Sequence, residues 1–320
     1  MRPMIKYRGG KSKEIPQIMR FIPRFKGRYI EPFVGGGAVF FHLEPRQAII
    51  NDVNDRLMAF HHGVRDNFDG LRAELDEIER LYAANRHEFE LLKQLNPNER
   101  VEDKNEALYY ALRDMYNHLR PSSYSDALLY YFINKTAYSG MIRFNSNGEF
   151  NVPYGRYRSI NTNLITRSHH QLLNRTDLYC TDYASIFAIS GENDFMFLDP
   201  PYDCTFSDYG NETYKDGFGE TEHRRLAQDF RNLSCKALMV IGKTPLTEEL
   251  YHQYIIDEYD KNYAVNIRNR FKSQAKHIVV ANYDREQVNG KFISEGADYH
   301  LETAQVLLFE KETPYGQEDK

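Results

Sequence analysis

Four short apolar runs, at 29–33, 48–51, 178–181 and 195–198, each stop at or beside an acid or a glycine turn, and two more follow at 237–241 and 277–282. Helical patterns with apolar residues three and four apart separate them, which is the form of a parallel sheet wrapped by helices. In an open α/β sheet, ligands bind beyond the carboxyl ends of the strands, so those four endings are where chemistry is expected. The second and third runs stand about 125 residues apart, far more than a crossover needs. Residues 56–170 are therefore expected as a separate lobe, with 1–55 and 171–320 forming one discontinuous domain. Helices are predicted in that lobe over 71–92, 106–120 and 125–135. Its far end, 136–157, carries Asn145-Ser146-Asn147-Gly148 between two extended segments, a hairpin signal.

Composition narrows the class. The 320 residues are 41% hydrophobic, enough to bury a core, and no run approaches the ~20 apolar residues of a membrane-spanning helix. No apolar h-region follows the basic N-terminus, so an export signal is not expected. Cys180, Cys204 and Cys235 are scattered singly, which encodes neither a disulfide framework nor a metal site and fits a reducing cytoplasm. A net charge of −5 argues on its own against nucleic acid, but the distribution reverses this. Residues 1–28 hold nine basic groups against Glu14 alone, and 104–175 hold nine against four acids, whereas 177–265 hold seven against seventeen. One face is thus suited to phosphates while the rest stays acidic.

The run at 29–33 leads into Val34-Gly35-Gly36-Gly37-Ala38, a strand, tight turn and helix. Glycines there let backbone approach a ligand, although a purely structural turn reads the same way. Asp52 ends the next run, where an acid can accept from ribose hydroxyls or, with no ligand, cap the helix that follows. Asp199-Pro200-Pro201-Tyr202 is the most specific feature. Two prolines stiffen the turn and hold the Asp199 carboxylate beside the Pro200 carbonyl, and Tyr202 adds a flat face. Two acceptors and a stacking surface suit an exocyclic amine: they favour its pyramidal, nucleophilic form as a methyl arrives in line.

The tetrapeptide, the glycine turn and Lys6-Tyr7-Arg8-Gly9-Gly10-Lys11 together resemble the S-adenosylmethionine-dependent DNA adenine-N6 methyltransferases of the Dam type, in order over about residues 4–283. The resemblance implies an α/β fold, a Rossmann-like methyltransferase sheet with an inserted, mostly helical target-recognition lobe ending in a β-hairpin. It implies S-adenosyl-L-methionine as cofactor, with direct transfer to a flipped-out adenine. Asp199, Pro200 and Tyr202 match the catalytic positions. Tyr7, Lys11, Glu31, Phe33, Gly35, Gly37, Asp52, Asp182 and Tyr183 match positions around the cofactor, Asp182 facing its adenine.

The hairpin resembles the one that meets duplex DNA in this family. Arg143 would read a base edge, Tyr138 wedge into the stack, and Arg156 and Arg158 face phosphates. Lys6, Ser139, Met141 and Pro153 complete the match. Ser139 and Met141 depart from the usual Asn and Leu, so a GATC site and a related short sequence are both open. The basic stretch 269–276 either lies beside the target base or is solvated charge, and the acidic tail from 285 carries one expected strand at 305–309. Double-stranded DNA is the implied partner, a cognate restriction endonuclease a further one, and a prokaryotic cell or its phage the setting. The rival functions are a cytosine-N4 methyltransferase, a non-catalytic DNA-binding regulator and, more distantly, a nicotinamide oxidoreductase.

Overall fold

The computed structural model describes residues 1–7, 9–202, 218–261 and 275–284. Arg8, Cys204, residues 269–274 of the basic stretch and the tail with its expected strand lie outside them. Among the described residues, seven strands form one sheet: β1 (Tyr29–Glu31), β2 (Ala48–Asn51), β3 (Thr176–Tyr179), β4 (Phe195–Leu198), β5 (Lys236–Gly242), β6 (Ile255–Lys261) and β7 (Ala275–Ala281). Their spatial order is β3-β2-β1-β4-β5-β7-β6. The first five run parallel, and β7 runs antiparallel to both β5 and β6. The order reverses between β1 and β4, which opens a crevice at their carboxyl ends.

β2 and β4 fall where the sequence places them. β1 stops at Glu31 because Pro32 has no N–H for the ladder. β3 lies two residues earlier than expected, and β6 was not expected at all. Its Ile-Ile-Asp-Glu-Tyr-Asp-Lys sequence suits an edge strand with one solvated face.

Helices cover both faces: α1 (Ile15–Met19), α2 (Ala38–Leu43), α3 (Asp55–Asp66), α4 (Phe68–Leu95), α5 (Lys104–Tyr116), α6 (Asp126–Thr136), α7 (Arg167–Leu173), α8 (Tyr183–Ala188), α9 (Glu220–Arg231) and α10 (Pro245–Tyr251). Alternate strand residues point to opposite sides, so β4 feeds two cores. Met196 and Leu198 pack with Tyr183, Leu226 and Tyr251 of α8, α9 and α10. Phe195 and Phe197 join a cluster that runs without a break into Leu57 of α3, Leu75 of α4, Leu112 of α5 and Tyr131 of α6. Segment 56–170 thus shares its core with one face of the sheet.

The expected hairpin keeps its turn but not continuous strands. Asn145 accepts through its side chain from Asn147 and Glu149 N–H, Gly148 takes φ +76°, and the backbones of the arms pair as two isolated bridges, Ala137–Tyr154 and Phe144–Phe150. Tyr138–Gly140 instead form a short 3-10 turn with Ser139 at φ +54°. The ribbon's backbone groups find side-chain partners in place of a ladder. Asn117 pairs both ways with Phe150, Tyr109 donates to Val152 carbonyl at 2.8 Å, and Tyr82 donates to Tyr157 carbonyl at 2.6 Å.

Candidate active site

The site assembles where β1, β2 and β4 end. Pro200 and Pro201 terminate β4 and leave Asp199 at its tip, where Lys11 Nζ donates to Asp199 Oδ1 at 2.5 Å and to the Tyr202 hydroxyl at 2.6 Å. A third bond reaches Gly9 carbonyl at 3.2 Å, so all three ammonium donors of this buried lysine are used. Burial pushes the Asp199 carboxyl above its ordinary value, and the Lys11 charge offsets part of that rise. Glu31, buried at the end of β1, accepts from Tyr29 hydroxyl at 2.6 Å and from Phe40 N–H at 3.2 Å. Desolvation, with the Asp199 charge adding to it, pushes Glu31 up to about 8.

The glycine turn is shaped by what lies against it. Gly35 and Gly37 hold φ +46° and +65°, and a Cβ on Gly35 would sit 2.8 Å from Tyr7 Cε1. Tyr7 therefore lies directly over the turn. Asp52 bridges Gly35 N–H and Asn54 N–H, each at 3.0 Å, and burial raises its carboxyl. The cap of α3 is Asn54, whose side chain accepts from Leu57 N–H; the capping alternative for Asp52 thus falls away. Phe33 packs on Tyr183 with ring centroids 5.4 Å apart. Asp182 caps α8 by accepting from Ala184 N–H and is also held by Arg225 at 2.7 Å.

Three participants carried no sequence signal of their own. Fully buried Asn51 donates to the Pro32 and Thr181 carbonyls and accepts from Thr181 N–H, which ties the ends of three strands together. Arg225 on α9 reaches Asp182 from forty-three residues away. Asn134 of α6 clamps the Lys6 backbone, accepting from its N–H at 3.0 Å and donating to its carbonyl at 2.7 Å.

On the ribbon, Tyr138, Ser139, Met141, Arg143, Pro153, Arg156 and Arg158 are all exposed. Arg143 is steadied across the ribbon by Asn151 at 2.8 Å, and the Lys6 ammonium lies 5.2 Å from the Tyr157 ring. Arg156, at φ +55°, pairs with Glu106 at 3.4 Å beside an open cleft of about 590 Å³ at the α4–α5 corner. Among the described residues no cluster could hold a metal, and no helix is long and apolar enough to cross a membrane.

A seven-stranded sheet with its crevice at the β1–β4 reversal, a glycine turn at one lip and an acid turn at the other defines a Rossmann-like methyltransferase. The sequence model of the D12 class N6 adenine-specific DNA methyltransferases matches residues 7–266, and the chain belongs to that family. It is 33% identical over 291 residues to the type II methyltransferase M.CviBI of Paramecium bursaria Chlorella virus NC1A, covering 88% of this chain and all of that one. It is 30% identical over 302 residues to the type II methyltransferase M.MjaIII of Methanocaldococcus jannaschii, covering 90% of this chain and 96% of the other. Identity to the DNA adenine methylase of Salmonella typhi is 30% over 258 residues, covering 78% and 84%. Enzymes of this family generally use S-adenosylmethionine, and DNA is their substrate.

Proposed function

We propose that residues 199–202 hold the N6 amine of an adenine turned out of duplex DNA, and that the crevice between Tyr7, Glu31, the Gly35 turn, Asp52 and Asp182 holds S-adenosylmethionine. The residues suit that cofactor. Adding a Cβ to Gly35 would close the cradle under Tyr7, and the three carboxyl groups of Glu31, Asp52 and Asp182 match a ligand that carries hydroxyls, amines and a positive charge. When bound, the cofactor supplies an activated methyl group. Asp199 and the Pro200 carbonyl accept from the two N–H groups of the amine, and Tyr202 offers its ring to the base. Lys11 favours the Asp199 carboxylate over the neutral acid and aims it.

The carrying observation is the Lys11 bridge, which fixes Asp199 and Tyr202 as one unit beside the glycine turn. Residues 56–170 serve as the target-recognition part, with Lys6 and the ribbon reading a short site for which GATC is the proposed sequence. Arg143 is presented for bidentate contact with guanine, and Arg156 and Arg158 for phosphates. A cytoplasmic setting and a cognate endonuclease belong to the same reading, supported by the type II names of two relatives. Labelled S-adenosylmethionine and duplex DNA test it. Label on adenine N6 that is lost in Asp199→Ala is expected, and sequencing of methylated positions names the site. Absence of transfer to any DNA overturns the reading.

A further inference from the structure

We propose that Glu14 and His277 form a positioning pair for the catalytic turn, holding Tyr202 from behind and the Lys11 segment from below. The two are 263 residues apart in sequence, yet His277 Nδ1 lies 2.7 Å from Glu14 Oε2, and both side chains are buried. The His277 ring meets the Tyr202 ring at 5.1 Å and 79°, an edge-to-face contact. Glu14 also accepts from Tyr259 hydroxyl at 2.6 Å and from the Lys261 ammonium. On its own side of the network it is one turn from Lys11, whose carbonyl accepts the Glu14 N–H at 2.7 Å.

One tight turn therefore sends a buried cation to Asp199 and Tyr202 and a buried anion to His277, whose ring backs that same Tyr202. Buried charges of this kind add little net stability compared with apolar packing of the same volume. What they do add is a directional constraint, since each bond in the series works at one geometry. The series runs Asp199, Lys11, Tyr202 and His277 to Glu14, and it fastens the β6–β7 edge to the turn that would hold the amine. An ordinary anchor for that edge would need no contact with Tyr202.

The inference rests on the proposed reading of 199–202, and the test separates the two. Single-turnover methyl transfer is measured for Asp199→Ala, His277→Phe, Glu14→Ala and Glu14→Gln, with sinefungin and duplex dissociation constants and thermal melts alongside. His277→Phe keeps a ring against Tyr202 and removes the donor; Glu14→Gln keeps the acceptor and the shape. His277→Phe and Glu14→Ala are expected to lose about tenfold or more in rate, with both dissociation constants within about twofold of wild type and Glu14→Gln recovering part of the loss. A folded His277→Phe at wild-type rate overturns the pair, as does a rate loss matched by an equal loss of sinefungin affinity. If only Glu14→Gln folds, a lowered rate with unchanged affinities supports the pair, and a wild-type rate overturns it. Normal transfer by Asp199→Ala would instead sink the reading of the turn itself.

Discussion

Asp199 accepts most strongly from an amine as the carboxylate, and its surroundings pull it in two directions. Burial favours the neutral acid, while Lys11 at 2.5 Å favours the carboxylate, and the net result is a carboxyl above the ordinary aspartate value. On the proposed mechanism, the rate of transfer falls as pH drops through that raised value. Lys11→Met removes the opposing charge, so the acid limb of the single-turnover profile should move to higher pH as the plateau drops; an unmoved limb would contradict the assigned partnership. Glu14 and Glu31 provide a second check with opposite signs. Glu14 is drawn down to about 2, against the burial that raises it, by His277, Lys11, Lys261 and Tyr259. Its contribution to stability is present above 4.5 and is lost as pH falls toward 2. Glu31, pushed up to about 8, costs nothing below 4.5 and costs increasingly more as pH rises to 8. In urea titrations, Glu31→Gln should gain on wild type across that interval, by up to ~1.4 kcal/mol for each pH step of one.

At the scale of elements, the glycine turn and the strand ends tie shape to binding. Gly35→Ala forces a side chain into φ +46° and against the Tyr7 ring, and a left-handed residue alone costs about 1–2 kcal/mol. Sinefungin affinity should fall about tenfold, read by calorimetry. Asn51→Ala leaves the buried Pro32 carbonyl unpaired and frees the part-exposed Thr181 carbonyl and N–H to water, so it should lower unfolding free energy by about 1–3 kcal/mol while the fold persists. These elements differ in how far the sequence exposes them. Buried parallel strands such as Phe195–Leu198 read as apolar runs because both faces are covered, and the prolines after Asp199 mark the stop in plain sight. β6 escapes notice because an edge strand with Asp257, Glu258 and Asp260 lacks that run. The ribbon's irregular pairing is not legible because its partners, Asn117, Tyr109 and Tyr82, lie on or at the end of helices that no local pattern connects to it. The same limit hides Glu14–His277 and Asn134, whose meaning exists only once distant segments meet.

Across the whole molecule, charge is sorted as the proposed duplex contact requires. The basic N-terminal segment and the ribbon come together at Lys6, whose backbone is clamped by Asn134 and whose ammonium stands over Tyr157, while the acidic residues concentrate in 177–265. Sorted charge gives attraction to any duplex, and only base contacts add discrimination. The two functions should therefore separate in two variants. Arg158→Ala, an exposed arginine assigned to a phosphate, should weaken binding about equally on cognate and scrambled duplexes and lower the slope of log affinity against log salt by about one. Arg143→Ala should cost about 1–3 kcal/mol on the cognate duplex only, because Asn151 already presents its guanidinium and a bidentate base contact forms without further ordering. Salt-dependent anisotropy titrations of both variants on both duplexes check this. If Arg143→Ala weakened cognate and scrambled DNA alike, the ribbon would be an electrostatic rail, and the reading of sequence would have to lie elsewhere on the basic face.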